Sequence, residues 1–365
     1  MNASQVGFIG LGLIGGSIAK AIKSKYKTIH ITAYDINSNA LLLAQKEGIV
    51  DTVALAVDDT FENCDLIFLC APVSYNITYL TSLKEIIKSD CILTDVGSVK
   101  TSIHENIIKL NLEENFIGGH PMSGSEKIGY EHAVSHLIEN AYYILTPSSN
   151  VNEEKINFYS TFVKKLGSIP LVMDYKEHDY ITGVISHLPH IIAASLVNLA
   201  KNKDSKDHIM KNIAAGGFKD ITRIASSSPT MWQQICLENK DNIASLLSDY
   251  INELVQIKQL IEASSSGDLY EMFDSASEYR NSISNASLGP IKGIYELYCD
   301  IIDETGGIAT IATILANNLI SIKNIGIIHN REFIDGVLRI EFYDEDSAKR
   351  ALLLLTKYSY TVHER

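Results

Sequence analysis

Gln5-Val6-Gly7-Phe8-Ile9-Gly10-Leu11-Gly12-Leu13-Ile14-Gly15-Gly16 is a short apolar run followed by a glycine-rich turn, and Ser17 to Lys25 beyond it has helical spacing. The order is strand, turn, helix. Gly10 permits a tight first turn, Gly12 lets the backbone approach a pyrophosphate, and Gly15 allows close packing of helix on strand, with the phosphates at the positive end of the helix. By itself a GxGxxG spacing is weak. Ile29 to Tyr34 reads as a second strand ending in Asp35, and this context makes the signal specific. An acid at that point accepts hydrogen bonds from the ribose hydroxyls and repels a 2′-phosphate, so the expected cofactor is NAD and not NADP. Its expected contacts are Gly10, Gly12, Leu13, Ile14, Gly15 and Asp35. The competing reading is a glycine turn in an unrelated α/β unit, with Asp35 as a helix cap.

Outward from this unit the alternation continues: helix Asn39 to Glu47, strand Leu66 to Leu69, helix Tyr75 to Ile87, strand Cys91 to Thr94, helix Lys100 to Lys109 and strand Tyr142 to Leu145. Near-continuous apolar strands suit a buried parallel sheet. Ligands in such sheets sit beyond the carboxyl ends of strands, which adds Ala71, Pro72 and Ser98 to the cofactor-facing set. Ser98 also fits a helix N-cap, and both readings stand. Gly118-Gly119-His120-Pro121-Met122-Ser123-Gly124-Ser125 reads as a tight, irregular turn holding one histidine. It is either a surface turn or a site loop.

After Lys155 to Leu166 and strand Ser168 to Met173 the spacing becomes helical throughout, so a second domain is expected from Asp174. It carries His178-Asp179, then His187-Leu188-Pro189-His190. Histidines three apart share a helix face, which admits zinc, but a third ligand is missing and Pro189 bends the frame. Structural histidines and substrate contacts are the other readings, and no metal is expected. Gly216-Gly217-Phe218-Lys219-Asp220-Ile221-Thr222-Arg223 places two cations one turn apart, a local anion site or a solvated pair. Trp232, the lone tryptophan, has core packing as its ordinary role. The amphipathic helix Lys240 to Ser264 suits packing or subunit contact.

Serine-rich sequence from Ser275 to Gly293, broken by Gly289-Pro290, reads as a linker. Beyond it, strand Ile294 to Ile302, helix Gly307 to Asn318, strands Ser321 to Ile328 and Gly336 to Phe342, helix Glu345 to Lys357 and strand Tyr360 to Glu364 give a small ferredoxin-like βαββαβ unit. The expected organisation is therefore 1–173 nucleotide-binding, 174–276 helical, 277–293 linker and 294–365 terminal unit.

The 365 residues carry a net charge of -13, which argues against a nucleic-acid surface. The start of the chain has no basic flank or apolar signal core, and no apolar run approaches membrane-spanning length, so a cytosolic protein without membrane contact is expected. Five widely spaced cysteines without a Cys-x-x-Cys pair read as buried thiols.

Taken together, Gly10 to Gly16 with Asp35, Asp95-Val96-Gly97-Ser98-Val99-Lys100, Gly119-His120-Pro121-Met122-Ser123-Gly124-Ser125-Glu126, His178-Asp179, Ser186-His187-Leu188-Pro189-His190 and Gly216 to Ala225 resemble the prephenate dehydrogenases of tyrosine biosynthesis, in the form with a C-terminal ACT domain. The resemblance spans nearly the whole chain. It implies a Rossmann-type NAD domain, an all-α dimerisation domain and a ferredoxin-like ACT domain. It implies His120 as the base that takes the proton of the substrate's 4-hydroxyl while hydride leaves for NAD, and Ser98 as the residue orienting it. Arg223 would pair a substrate carboxylate, His190 would be a second contact, and His187 would support the site. Ser125, Glu126 and Trp232 would line the pocket, with Glu126 and Asp220 pairing the arginine. A homodimer is implied, as is L-tyrosine as feedback effector near Asp303, Gly306 and Gly307. Arogenate dehydrogenase is the first rival, since both substrates share the ring end. A 2-hydroxyacid or β-hydroxyacid dehydrogenase and a catalytically silent ACT sensor are more remote.

Overall fold

The computed structural model describes residues 3–124, 127–283, 295–301, 306–328 and 336–364. It forms two compact units, Met1–Glu271 and Met272–Arg365.

The first unit is built on five parallel strands: β1 (Gln5–Ile9), β2 (His30–Tyr34), β3 (Thr52–Val53), β4 (Leu66–Leu69) and β5 (Ile92–Asp95), in the order β3-β2-β1-β4-β5. Side chains alternate along a strand. Accordingly Val6, Phe8, Leu66 and Phe68 enter one apolar cluster, while Ile9, Ile67 and Leu69 enter the other on the opposite face. Phe8 and Phe68 are register partners and stack at 4.9 Å. A sheet covered on both faces needs such strands, and each fully buried side chain is worth about 1.5–3 kcal/mol. The strand order reverses between β1 and β4, so the crevice at their carboxyl ends falls between the Gly10 turn and Cys70-Ala71-Pro72.

The sheet does not continue in parallel as expected from sequence. Ile117–Pro121 is a strand, β6, paired antiparallel with β7 (Tyr142–Pro147), which runs parallel to β8 (Ile169–Val172); a single bridge between Leu93 and Phe116 ties this group to β5. His120 thus stands on a strand and not in a turn. Glycine and proline disfavour strands locally, but cross-strand pairing with Tyr143 and Ile144 overrides that preference here.

Asp174 caps the helix Tyr175–Thr182, accepting from the Lys176 and Glu177 N–H groups. The helix runs through a π-turn, Gly183–His187, into Leu188–Lys203, because Leu188 N–H bonds back to the Gly183 carbonyl ahead of Pro189, which has no N–H of its own. The whole stretch, Tyr175–Lys203, has 29 residues and is long and apolar enough by length and composition to cross a membrane, contrary to the sequence expectation. Its buried His178, Asp179, His187 and His190 instead mark one side as packed inside protein. Helices Pro229–Glu238, Lys240–Glu262 and Ser266–Ser282 follow. The first six residues of the expected linker, 277–282, therefore belong to a helix, and 284–294 lie outside the described residues. Cys64, Cys91 and Cys299 are buried as expected, whereas Cys70 and Cys236 are only partly so; all five are free thiols.

The second unit contains β9 (Tyr295–Ile301), helix Gly307–Asn317, β10 (Ile322–Ile328), β11 (Gly336–Phe342), helix Glu345–Lys357 and β12 (Val362–Glu364). Its sheet is antiparallel in the order β10-β11-β9-β12. Leu297, Cys299 and Ile301 of β9 and Leu338, Ile340 and Phe342 of β11 share the buried face. Gly306 precedes the first helix with φ +93°, a conformation that favours glycine, and Gly307 begins it. Asp303 lies outside the described residues.

Candidate active site

The nucleotide cradle is built from three strand ends. Gly10 has φ +94°, and a Cβ there would lie 2.7 Å from the Ala71 nitrogen. A Cβ on Gly15 would lie 2.7 Å from the Gly10 carbonyl oxygen. These two glycines are required by the protein itself. Gly12 is different: a Cβ there would meet nothing within 4 Å. It heads the helix Leu13–Lys25, which has no side-chain cap and no acid in its first turn. Orphan N–H groups at an open, positive helix end suit an anion, so Gly12, Leu13 and Ile14 fit a pyrophosphate. Asp35 at the end of β2 accepts from the Leu11 N–H at 2.5 Å and the Asn37 N–H at 2.7 Å, which fixes its carboxylate beside the turn. Opposite, Asn76 donates to the Ala71 carbonyl at 2.8 Å and holds the loop through Pro72.

A buried ion pair places His120. Lys100 and Asp95 are fully buried and bonded to each other. Asp95 accepts the Gly119 N–H at 3.2 Å, while the Lys100 ammonium donates to the Gly119 carbonyl at 2.7 Å. The residue before His120 is thereby gripped at both polar groups. The glycines at 118 and 119 make room for this grip and its surroundings. A Cβ on Gly118 would collide with Thr146, and one on Gly119 would lie 2.6 Å from the Asp95 carbonyl oxygen.

His120 Nδ1 lies 2.8 Å from His178 Nε2, and His178 Nδ1 lies 2.8 Å from Asp179 Oδ1. Asp179 also accepts the Lys100 N–H at 2.8 Å and the Thr101 N–H at 2.7 Å. It thus supplies, from the helical region, the first N–H partners of helix Thr101–Leu110. This overturns the N-cap reading of Ser98, whose half-buried hydroxyl makes no hydrogen bond among the described residues. Burial alone would raise the Asp179 carboxyl, but hydrogen bonds from His178, Thr101 and Lys100 hold it below its ordinary value. Burial, then the neighbouring His178, Lys100 and His187, push His120 well below 6.5, so it rests neutral at physiological pH.

His187 and His190 come together with Trp232. The indole stacks on His190 at 3.5 Å and meets the His187 ring edge-on at 6.1 Å. Its N–H is buried without a partner among the described residues. Asn239 donates to the Asp179 carbonyl at 2.7 Å and to His187 Nδ1 at 3.0 Å, which leaves the His187 proton on Nε2. Burial lowers His187 to about 4 and also lowers His190. Arg223 opens an exposed 3₁₀ turn, Arg223–Ser226, packed against the helix that carries His190. Ser125 and Glu126 lie outside the described residues.

Lys100, Asp95 and Asn239 carry no role in the sequence reading, and His178 and Asp179 carry only an undecided one. For the last two, adjacency within one helix is insufficient; what identifies them is a contact 58 residues away in sequence.

Two family models match in succession: "Prephenate dehydrogenase, nucleotide-binding domain" over residues 18–170 and "Prephenate dehydrogenase, dimerization domain" over 174–275. The chain is 40% identical over 344 residues to prephenate dehydrogenase of Bacillus subtilis (strain 168), spanning 94% of this chain and 93% of that protein. It is similar in structure to prephenate dehydrogenase from A. aeolicus in complex with hydroxyphenyl propionate and NAD+, with TM-score 0.73 and 31% identity over 78% of this chain and 99% of that one. It is also similar to Synechocystis arogenate dehydrogenase, with TM-score 0.69 and 27% identity over 76% of this chain and 99% of that one. A dinucleotide cradle, a neutral histidine held by a buried ion pair, and these matches along both halves of the first unit lead to one conclusion: the chain belongs to the prephenate dehydrogenase family.

Proposed function

We propose that the protein is an NAD-dependent prephenate dehydrogenase that forms 4-hydroxyphenylpyruvate and CO2. The observation that carries this reading is His120: neutral, partly accessible, and clamped through Gly119 beside the β5 end that also bears Ser98. The bound nicotinamide supplies a hydride acceptor for C4 of the substrate. His120 takes the proton of the 4-hydroxyl as the C4–H bond breaks, general-base assistance worth roughly 10²–10⁴-fold. The bond from C1 to the carboxylate then breaks, its electron pair completes the aromatic ring, and His120 returns the proton to the phenolate oxygen. Charge balances without net proton release. Ser98 orients the hydroxyl, and Arg223, His190 and the buried Trp232 N–H receive the carboxylate-bearing parts.

Arogenate is the second reading, favoured by the similarity to Synechocystis arogenate dehydrogenase. The test is NADH formation from prephenate and, separately, from arogenate, with NAD and with NADP. No reduction with either substrate sinks the proposal, and turnover of arogenate alone reassigns it.

The exposed apolar residues Ile251, Leu254, Val255 and Ile261 on helix Lys240–Glu262 are read as a homodimer contact in a cytoplasmic protein, not a lipid face. The βαββαβ order of the second unit supports its reading as an ACT domain with tyrosine as effector near Gly306 and Gly307. Tyrosine that changes neither activity nor melting temperature would refute that role.

A further inference from the structure

We infer that His178 and Asp179 are positioning residues for this reaction: they fix His120 in the tautomer that carries its proton on Nδ1 and leaves Nε2 bare to receive the substrate's proton. The inference rests on the reading of His120 as proton acceptor.

Asp179 is ringed by donors. Its two oxygens accept from Lys100 N–H, Thr101 N–H and His178 Nδ1 at 2.7–2.8 Å. An ionised carboxylate only accepts, so His178 Nδ1 carries a proton. A neutral imidazole has one proton, hence His178 Nε2 is an acceptor. Facing it at 2.8 Å is His120 Nδ1, which is then the donor. One ring nitrogen remains on His120, and it is a lone pair. The order of the chain of bonds converts a carboxylate on one helix into a defined protonation site on a strand.

The competing arrangement is a His178 imidazolium that donates from both nitrogens. His120 would then accept on Nδ1, carry its proton on Nε2 and be useless as a base. The surroundings oppose it. His178 is fully buried, and burying a charge is costly unless it is fully compensated. The groups packed around the pair are Lys100 and Asp95, which neutralise each other, His187 farther along the same helix, and Glu238 from helix Pro229–Glu238, whose carboxyl burial pushes upward. Asp179 is the sole carboxylate bonded to His178 among the described residues, and its charge is already shared by two backbone N–H groups. Nor is capping of helix Thr101–Leu110 a sufficient role for the pair. The cap needs Asp179 alone, whereas His178 Nε2 would be an orphaned buried acceptor without His120. Once His120 holds the transferred proton, its Nδ1–H still points down the same chain toward the Asp179 charge, which stabilises the imidazolium.

The decisive measurement is a long-range ¹H–¹⁵N spectrum of the full-length protein labelled on histidine nitrogens, near neutral pH, with His120 assigned through His120→Asn. A protonated Nδ1 and a bare Nε2 on His120 are expected. A proton on His120 Nε2, or two protons on His178, overturns the inference whatever any variant does. Independently, His178→Phe keeps a ring and removes both bonds; kcat is expected to fall by about 10²–10⁴-fold with KM little changed and the acid limb of the pH profile displaced. His178→Gln keeps an acceptor for Nδ1–H and is expected to recover about tenfold of that loss. Equal losses in the Phe and Gln variants, with unaltered melting, would reduce His178 to packing. Wild-type protein that never turns over prephenate refutes the proposed substrate instead, and leaves the tautomer to the spectrum.

Discussion

Asp95 and Gly119 are joined across the gap between the two sheets: the carboxylate accepts the Gly119 N–H at 3.2 Å, and its ion-pair partner Lys100 donates to the Gly119 carbonyl at 2.7 Å. Replacing Lys100 by Met strands a buried carboxylate. Loss of one member of a buried pair costs about 3–5 kcal/mol, and His120 loses its anchor in the same stroke. Lys100→Met should therefore lower both the urea midpoint and kcat. Wild-type values of the two would remove the clamp from the account.

The two glycines of the nucleotide turn should part company under substitution. Gly12→Ala adds a methyl group to open space, so melting should hardly change while the NAD dissociation constant rises at least about tenfold, since the backbone no longer reaches the pyrophosphate. Gly10→Ala forces a side chain into φ +94° against Ala71, which costs about 1–2 kcal/mol before any clash. Calorimetry on both, with and without NAD, checks the contrast. Equal destabilisation would count against a ligand above Gly12.

His120→Asn preserves a polar side chain and removes the proton acceptor. Turnover should fall by about 10²–10⁴-fold, with substrate binding only modestly altered. A change confined to KM would make His120 a binding group.

Stability should fall as the solution becomes acidic, and the sign follows from His104 and His187. Burial chiefly lowers His104 to about 3 and His187 to about 4. The unfolded chain takes up these protons near pH 6.5 and the folded chain refuses them, so the stabilisation is complete above pH 6.5 and is lost as pH falls toward the folded values. Each group contributes a slope of about 1.4 kcal/mol per pH unit in that window. Urea titrations from pH 7 to pH 5 should show it, and His104→Gln should reduce the slope by one proton's share. A flat profile would contradict the burial of neutral imidazoles.

Four of the five parallel strands and the cradle were legible in sequence because their signals are local: Gly10, Gly12, Gly15 and Asp35 sit at spacings set by a single strand-turn-helix unit, whereas β3 (Thr52–Val53) is only two residues long and offers no apolar run to read. His120 could be singled out, but its strand could not, since Gly118, Gly119 and Pro121 speak for a turn and only pairing with β7 outvotes them. The purpose of those glycines was likewise hidden, because Thr146 and the Asp95 carbonyl approach from elsewhere in the chain. Asn239 left no trace at all. The partners of its amide N–H groups, the Asp179 carbonyl and His187, lie on another helix, and no periodicity announces a bond of that kind.

The π-turn at Gly183–His187 bears on how this stretch tolerates change in length. A regular helix advances 100° per residue, and a π-turn accommodates one residue more than that pitch allows. Excising one residue from 183–186 would let the helix close into regular pitch with His187 and His190 kept near their present phase to His178, whereas removing a second residue would rotate them by about 100°. Substitutions here alter a side chain; the π-turn absorbs the loss of one residue, and only a second loss would alter the phase between the two sets of histidines. Register along this helix is thus encoded by a count of residues, which no alanine scan would detect.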